Sequence, residues 1–365
     1  MSLRVRLANN NDEDKWEHFA IKASAPHHAF SWKWRQIIQN AFGHKPHYAI
    51  VEEFNDIETT SKVKGILPLF YVESILFGRA LISVPYLNGD GILADSGEAA
   101  LELVKWSRKL AAEIGAGYIE LRHRERYQPL SEDKDTSLRT HKVSMLLQLP
   151  GDPEVLFGSF PPKLRSQIRR PSKSGLYAKV TTERSELRSA LTHFYTVFSE
   201  HMRDLGTPVF PLKLHQEAVQ AFSSSCRIIT VWQGNNPVAG GITIGYGSTV
   251  EIPWAAALRR SSKFSPNMLL YWEALKTASN DGYKIFDFGR STPDSGPHRF
   301  KAQWRSAAGV GSTPIQLHWY YPYAVHSLPD ITPSNPKFGL LVSCWKHLPL
   351  AVTNNLGPYL TRGLP

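Results

Sequence analysis

The sequence has few cysteines and no long apolar segment, and both absences restrict what the chain can be. Only Cys226 and Cys344 occur among 365 residues. Two thiols are too few for a disulfide framework and are typical of a reducing compartment. The apolar runs fall well short of the roughly 18 residues that a membrane-spanning helix requires, and no apolar signal segment follows the first residues. We therefore expect a cytoplasmic protein.

Motifs that define several common enzyme classes are also missing. The sequence contains no P-loop, no Gly-x-Gly-x-x-Gly, no Gly-x-Ser-x-Gly and no His-Glu-x-x-His. Their absence argues against nucleotide hydrolases of the P-loop type, dinucleotide enzymes, serine hydrolases of the α/β type and zinc peptidases. No metal-ligand spacing is present, so we expect no metal site.

Cations exceed anions, with 42 Lys and Arg against 32 Asp and Glu and a formal net charge of +10. This balance favours an anionic partner such as RNA, a nucleotide-linked sugar or a membrane surface, without choosing among them. The chain is too long for one ordinary core and indicates two domains. We predict domains over residues 1–150 and 151–328, followed by a tail over 329–365.

An internal repeat organises these two halves. Lys64–Leu69 and Ala239–Ile244 are similar strands, and a proline follows each of them, at Pro85 and at Pro253. Each half then has a helix that ends in Gly-Tyr and a strand that ends near an arginine. Meander, helix and strand therefore occur twice, which predicts a duplication. Chance similarity between two α/β units is the alternative.

This element order resembles the GNAT acyltransferase fold. The resemblance implies an α/β (α+β) protein of two tandem GNAT-like domains, each with a mixed, mostly antiparallel sheet flanked by helices. In that fold the donor lies where two central strands separate, beside a helix N-terminus that binds an anion. Here that helix begins at Ser265-Pro266-Asn267, with Ser265 as its cap. The preceding loop, Arg259–Phe264, has three cations and no glycine, which is unlike a standard coenzyme A loop.

Four sequence blocks resemble the FemAB-related proteins associated with PEP-CTERM and exopolysaccharide gene clusters. The blocks are Lys163–Arg170, His201–Pro208, Gly282–Ser291 and Arg299–Trp304, and the C-terminal residues are similar too. The resemblance implies an acyltransferase or aminoacyltransferase that uses aminoacyl-tRNA or acyl-CoA, holds no tightly bound cofactor and modifies an amine of a cell-envelope or polysaccharide precursor.

The same resemblance makes Lys301 the first catalytic candidate, because FemAB ligases have a lysine in a Phe-Lys motif near the reacting carbonyl. Transfer of an acyl group to an amine requires an oriented donor and stabilisation of a tetrahedral oxyanion. A lysine cation can supply the second requirement. We expect Lys301→Met to reduce turnover strongly and to leave folding intact. The alternative is a solvated lysine on a loop.

Two further residues are candidates for proton transfer. Asp287 follows a predicted buried strand and could accept a proton from the amine, or it could pair with Arg290. His201 ends a long predicted helix and could act as a general base near neutral pH. Histidines in such a position more often bind carbonyl groups.

Other residues are candidates for substrate binding. Arg290 and Arg299 could bind phosphate, Trp304 could hold a ring and Trp254 could line an acceptor pocket, although core packing explains both tryptophans as well. Asn267 lies at the predicted anion-binding helix. Arg165 and Arg169 are one helical turn apart and could clamp phosphates; a solvated basic face is the alternative.

Two further hypotheses do not require an enzymatic function. A non-catalytic GNAT-fold module could bind an anionic glycan precursor or a polysaccharide assembly complex. The segment with Leu340, Leu341, Val342 and Trp345 could contact the inner face of the membrane, or it could pack on its own domain.

Overall fold

The computed structural model describes residues 2–23, 26–55, 60–74, 77–305, 313–326, 328 and 338–364. The chain divides into two compact units. The first contains Met1–Ser144, Ile315–Asp330 and Gly363–Pro365, and the second contains Met145–Pro314 and Ile331–Arg362. The units are not the consecutive segments that the sequence predicted, because the chain returns to the first unit after residue 314.

The strands, in chain order, are β1 (Ser2–Leu7), β2 (Lys45–Asn55), β3 (Thr60–Ser74), β4 (Gly78–Ser83), β5 (Leu93–Ala94), β6 (Tyr118–His123), β7 (Ser137–Arg139), β8 (Val143–Gln148), β9 (Leu176–Thr181), β10 (Cys226–Gln233), β11 (Asn236–Tyr246), β12 (Thr249–Ala257), β13 (Ile285–Ser291), β14 (Thr313–Gln316) and β15 (His318–Ala324).

The α-helices are α1 (Glu13–Ile21), α2 (Trp34–Phe42), α3 (Gly97–Ile114), α4 (Gln128–Ser131), α5 (Pro153–Ser159), α6 (Pro162–Lys173), α7 (Leu187–Leu205), α8 (Leu212–Ala221), α9 (Pro266–Asn280), α10 (Gly296–Ala302), α11 (Gly339–His347) and α12 (Leu350–Arg362). Short 3-10 helices cover Asn10–Asp12, His28–Phe30 and Arg259–Phe264.

Each unit is built on one mixed sheet. In the first unit the strand order is β1-β2-β3-β4-β6-β15-β7, with β5 beside β3, and in the second it is β14-β8-β13-β12-β11-β10-β9. Antiparallel pairs predominate, while β4–β6 and β12–β13 are parallel. The predicted fold class, two mixed and mostly antiparallel sheets flanked by helices, is confirmed.

Helix α3 packs on the first sheet through apolar residues at helical spacing, of which Leu103, Val104 and Ala111 are buried. Asp95 with Glu98 three residues later matches a capping-box pattern and so predicts Asp95 as the cap, but the structure places Ser96 there. The Ser96 hydroxyl accepts a hydrogen bond from the backbone N–H of Ala99 at 3.2 Å. Asp95 lies one residue too early for this role, and its carboxylate is 3.3 Å from the Lys64 ammonium.

Two adjacent glycines explain how helices cover both faces of the second sheet. A Cβ on Gly240 would lie 3.2 Å from Phe194 of α7, whereas a Cβ on Gly241 would lie 3.3 Å from Leu270 of α9. Successive strand residues point to opposite faces. Helices α7 and α9 therefore lie on opposite sides of the sheet, and both approach β11 closely where it has no side chains.

Several elements differ from the sequence-based expectation. The sequence predicts that the basic helix ends at Pro171, but helix α6 runs through this proline to Lys173 and forgoes the one i→i−4 hydrogen bond that the missing N–H would make. Strands β1 and β9 and helix α12 were not predicted. Among the residues that the structure describes, no helix is both long and apolar enough to cross a bilayer.

Candidate functional site

The central feature of the second unit is the place where β12 and β13 separate. These parallel strands pair only over Thr249–Glu251 and Ile285–Asp287. Beyond that point β12 continues to Ala257 and β13 to Ser291 without further pairing between them. Pro253 lies just past the last pair and has no N–H to offer a neighbour. The β11–β12 register also shifts beside it, between Ile242 and Ile244.

Two acidic residues form the last pair before this separation. Glu251 and Asp287 are register partners, so their side chains point to the same face of the sheet. They are 0% and 1% exposed. The Asp287 carboxylate accepts a hydrogen bond from the backbone N–H of Gly289 at 2.7 Å. Two buried carboxylates on neighbouring strands require a nearby cation.

Lys301 supplies that cation from helix α10. The helix is capped by Ser295, whose hydroxyl accepts from the backbone N–H of His298 at 3.3 Å. Lys301 is 8% exposed, and its ammonium donates to the carbonyl oxygens of Gly289 and Arg290, both at 2.9 Å. The solvated loop lysine that was the alternative from sequence is therefore wrong.

Gly289 makes this arrangement possible. Its φ is +71°, a left-handed backbone conformation that glycine adopts without a steric penalty. The turn at Gly289 comes directly after Phe288, so β13 changes direction immediately beyond the carboxylate pair. Its N–H and its C=O then bind Asp287 and Lys301 respectively.

Burial dominates the electrostatics of Lys301. Desolvation lowers the pKa of its ammonium to about 8, the carboxylates of Asp287 and Glu251 oppose this change, and Arg290 adds to it. The lysine therefore remains cationic at neutral pH and loses its charge in mildly alkaline solution. A cation with this property, held beside two carboxylates, can stabilise negative charge that develops on a substrate.

Two buried polar atoms near this cluster have no hydrogen-bond partner within the described ranges. They are the hydroxyl oxygen of Ser291, at the end of β13, and the indole N–H of Trp304. Trp304 otherwise belongs to the core, with ring centroids of Phe160 at 5.9 Å and Phe288 at 6.3 Å. Buried polar groups are normally paired, so these two atoms are exceptions within the part of the chain that the structure describes.

The structure brings Lys301, Asp287 and Arg290 together, and it gives the other candidate residues separate contacts. His201 Nδ1 lies 3.0 Å from the carbonyl oxygen of Ala257, so that nitrogen carries the hydrogen, and burial lowers the pKa of the ring. The Trp254 ring packs edge-on against His215 at 4.6 Å. Arg299 is exposed.

The start of α9 differs in detail from the prediction. Ser265 occupies the cap position with a left-handed backbone, at φ +57°, and its side chain makes no capping hydrogen bond. Asn267 is half-buried in the first turn of the helix. The N-terminal N–H groups of α9 therefore do not receive the predicted serine cap.

A basic surface, defined by Arg165, Arg169 and Arg170 of α6 and Lys263 of the 3-10 helix before α9, lies on the second unit. Arg170 donates to the carbonyl oxygen of Lys263 at 3.3 Å, which joins the two elements. The Arg169 guanidinium lies 4.8 Å above the Phe157 ring. Arg165 is half-buried, and the other three residues are exposed.

The first unit contains a counterpart of the separated strands. Strand β4 pairs with β6 only over Ala80–Ile82 and Tyr118–Glu120, so Glu120 occupies the position that Asp287 has in the second unit. Here the charges are satisfied internally: Glu120 accepts from Arg122 at 2.6 Å and from Tyr321 at 3.1 Å. The same strand arrangement therefore occurs in both units, and the second unit has the lysine-containing cluster.

Sequence reasoning missed Glu251. The signal was a single charge inside an apolar strand, between Val250 and Ile252 and two residues before Pro253. A lone carboxylate in such a strand is costly to bury without a partner. Its partner is distant in sequence, and for that reason the pattern remained uninterpreted.

Comparisons with known proteins agree with this geometry. Residues 162–302 match the family model described as an acetyltransferase (GNAT) domain. No curated protein matches the chain. The crystal structure of FemX has a TM-score of 0.62 at 14% identity and covers 93% of this chain and 100% of its own.

Two further solved structures are similar. A tandem GNAT protein from the clavulanic acid biosynthesis pathway has a TM-score of 0.56 at 10% identity and covers 89% of this chain and 100% of its own. L-PGS of Bacillus licheniformis has a TM-score of 0.50 at 12% identity, with 87% and 97% covered. At these identities the likeness concerns the fold, which is a tandem GNAT fold.

Proposed function

We propose that this chain is an N-acyltransferase or aminoacyltransferase of the FemAB type that acts on an amine of a cell-envelope or exopolysaccharide-related acceptor. The observation that carries this proposal is the position of Lys301. Its buried ammonium lies beside Asp287 and Glu251, at the end of the strand pair that separates in the GNAT-like unit.

In the proposed reaction, the amine nitrogen attacks the acyl carbonyl and a C–N bond forms. The bond between the acyl carbon and the donor's oxygen or sulfur breaks, and the leaving group takes up a proton. The Lys301 cation stabilises the oxyanion of the tetrahedral intermediate. Asp287 accepts the proton that the attacking amine loses.

In this proposal, side chains around Lys301 and the basic surface bind the substrates. Arg290 and Arg299 bind phosphate, and the Trp304 indole N–H and the Ser291 hydroxyl bind polar atoms of the substrates. The basic surface of Arg165, Arg169, Arg170 and Lys263 binds the phosphates of the donor. Trp254 and His201, which contact His215 and Ala257, support the sheet rather than the reaction.

The donor is an aminoacyl-tRNA or an acyl-CoA. The segment before α9 forms a 3-10 helix over Arg259–Phe264 and has no glycine that would let backbone amides close around a pyrophosphate. This feature favours the tRNA donor. We place the enzyme in the cytoplasm, at the inner face of the membrane, with no tightly bound cofactor.

The test measures transfer of isotope from labelled aminoacyl-tRNA and from labelled acyl-CoA to amine-bearing envelope precursors. Lys301→Met should reduce transfer by about 100-fold or more, which is the usual effect of losing one oxyanion-stabilising group. Lys213→Met, which changes an exposed lysine on α8, is the matched control and should behave as the wild type.

Equal transfer by the Lys301 and Lys213 variants would remove Lys301 from the reaction. If neither donor gives transfer while an anionic glycan precursor still binds, and binds equally to the Lys301→Met variant, the chain is instead a non-catalytic binding module.

A further inference from the structure

Helices α11 and α12 of the second unit present large apolar side chains to solvent. Leu340 and Leu341 on α11 are 76% and 65% exposed, and Tyr359 on α12 is 80% exposed. Single exposed apolar residues are normal, but six large ones within two consecutive helices are a concentration that indicates an interaction surface. The exposed apolar residues of the two helices are Leu340, Leu341, Val352, Leu356, Tyr359 and Leu360; together they are named the C-terminal apolar face.

The polarity of α12 is reversed relative to that of an ordinary surface helix. Its buried positions are Thr353, Gly357 and Thr361, which recur every four residues along the inner side. Val352, Leu356, Tyr359 and Leu360 recur at helical spacing on the outer side. A helix that only covered its own core would place the apolar side inward.

The two helices are held in this orientation by close packing on α7 and the segment after it. A Cβ on Gly206, at the end of α7, would lie 2.5 Å from the Val342 side chain, and a Cβ on Gly357 would lie 2.9 Å from the backbone N of Val209. Val342 and Trp345 are half-buried. Packing on the domain thus explains these two residues of α11 and leaves Leu340 and Leu341 outside.

The charged residues of α11 and α12 indicate which kind of partner covers the C-terminal apolar face. The sequence contains no Asp or Glu after Asp330. The charged side chains of α11 and α12 are Lys346 and Arg362, accompanied by His347, and all three are exposed. Two helices that expose apolar residues and whose own charged side chains are all cationic match a surface of acyl chains beneath anionic head groups. A second copy of the chain would oppose cation to cation.

From this arrangement we propose that the C-terminal apolar face binds the surface of an anionic lipid bilayer, with α11 and α12 lying in the interfacial plane. Leu340, Leu341 and Tyr359 enter the boundary between head groups and acyl chains. Lys346 and Arg362 contact lipid phosphates, their alkyl stems lying along the apolar surface.

The two cysteines provide a site-specific probe. Cys344 is exposed on α11, one helical turn after Leu340 and Leu341 of the face. Cys226 is buried, and its burial raises the pKa of the thiol to about 12, so it resists alkylation. An environment-sensitive fluorophore on Cys344 therefore reports the polarity around α11. The full chain is mixed with vesicles of phosphatidylcholine alone or with added phosphatidylglycerol, and unlabelled protein is tested by co-sedimentation.

We expect a blue shift and co-sedimentation with the phosphatidylglycerol vesicles, weakened by salt, and little binding to phosphatidylcholine alone. Leu341→Glu and Tyr359→Glu should each weaken binding about tenfold or more, since each removes one large apolar side chain from the lipid. Val155→Glu, at a 57% exposed position on α5, makes the same kind of change elsewhere and should bind as the wild type.

Several results would overturn the proposal. These are no binding to the phosphatidylglycerol vesicles, unchanged binding by both face variants, or a dimer in sedimentation velocity that Leu341→Glu abolishes while vesicles fail to bind. Circular dichroism melting checks that the variants are folded. Lys301→Met should bind vesicles as the wild type does, which separates this test from that of the transferase activity.

Discussion

Glu251 and Asp287 are register partners in the last parallel pair between β12 and β13, and both carboxylates are buried. Lys301 reaches the same place from α10 and donates to two carbonyl oxygens just beyond Asp287. The second unit thus holds two anions and a cation inside the protein at the point where its central strands separate. Such a cluster is costly to bury, and we attribute its presence to the reaction that we propose.

The first prediction concerns pH. Burial lowers the pKa of Lys301 from its ordinary value of 10.5 to about 8, so turnover that depends on the cation should fall as the pH rises through about 8. Stability should change in the opposite direction. Between about pH 8 and 10.5 the unfolded chain binds more protons, so the free energy of unfolding of the wild type should rise relative to Lys301→Met, by roughly 3 kcal/mol at most.

Urea denaturation and initial rates at several pH values measure both trends. Lys301→Met should itself be less stable at neutral pH, by about 3–5 kcal/mol, because it leaves two buried carboxylates without their cation. This revises the expectation from sequence that folding would be unaffected. A stability difference between the two proteins that does not vary with pH would show that Lys301 is not the buried cation described here.

The second prediction compares the two carboxylates. Asp287 and Glu251 both raise the pKa of Lys301, and Asp287 has the larger effect. Asp287→Asn and Glu251→Gln should therefore both move the alkaline loss of activity to lower pH, the first by more. If Asp287 also accepts the proton, Asp287→Asn alone should lose about 100-fold in kcat. Profiles of kcat against pH for the two variants test both expectations, and identical profiles for Asp287→Asn and Glu251→Gln would contradict them.

The third prediction uses a matched pair of glycines. Gly289 and Gly282 both have a left-handed backbone, with φ of +71° and +84°. An alanine at either position should cost about 1–2 kcal/mol of stability. Only Gly289→Ala should also reduce turnover, because the Gly289 carbonyl binds Lys301. Thermal melts and rates measured side by side provide the comparison, and equal activities would separate the turn from catalysis.

The fourth prediction concerns the basic surface. Arg169→Ala should weaken binding of tRNA and lower the slope of log K against log salt by about one, as expected for one lost phosphate contact. Arg184→Ala, at an exposed position outside this surface, should leave the slope unchanged. Binding titrations over a range of salt concentrations measure both. A flat salt response of the wild type would exclude phosphate contacts.

Local patterns in the sequence were sufficient for most of the architecture. Apolar residues at helical spacing predicted α3, and Pro266 at the first helical position predicted the start of α9. The repeated meander predicted two sheets of similar construction. Lys301 was identified through the Arg299–Trp304 block and its family resemblance. Strands β1 and β9 and helix α12 were missed; the outward apolar side of α12 gives a pattern that an ordinary core-facing helix would not have.

Contacts between distant segments depended on the folded chain. Nothing in the sequence near Glu251 indicates that Asp287 lies beside it, or that Lys301 is buried with both. Which strands pair in a sheet depends on how distant segments fold together, and the sequence of one strand does not specify its partner. The position of β15 in the first sheet was likewise not predictable from its own sequence, because β15 pairs with strands that are distant in the chain. Hydrophobic periodicity shows which face of one helix or strand packs on the core. A buried charged cluster depends on which helices and strands contact one another, and those contacts form only when the whole unit packs.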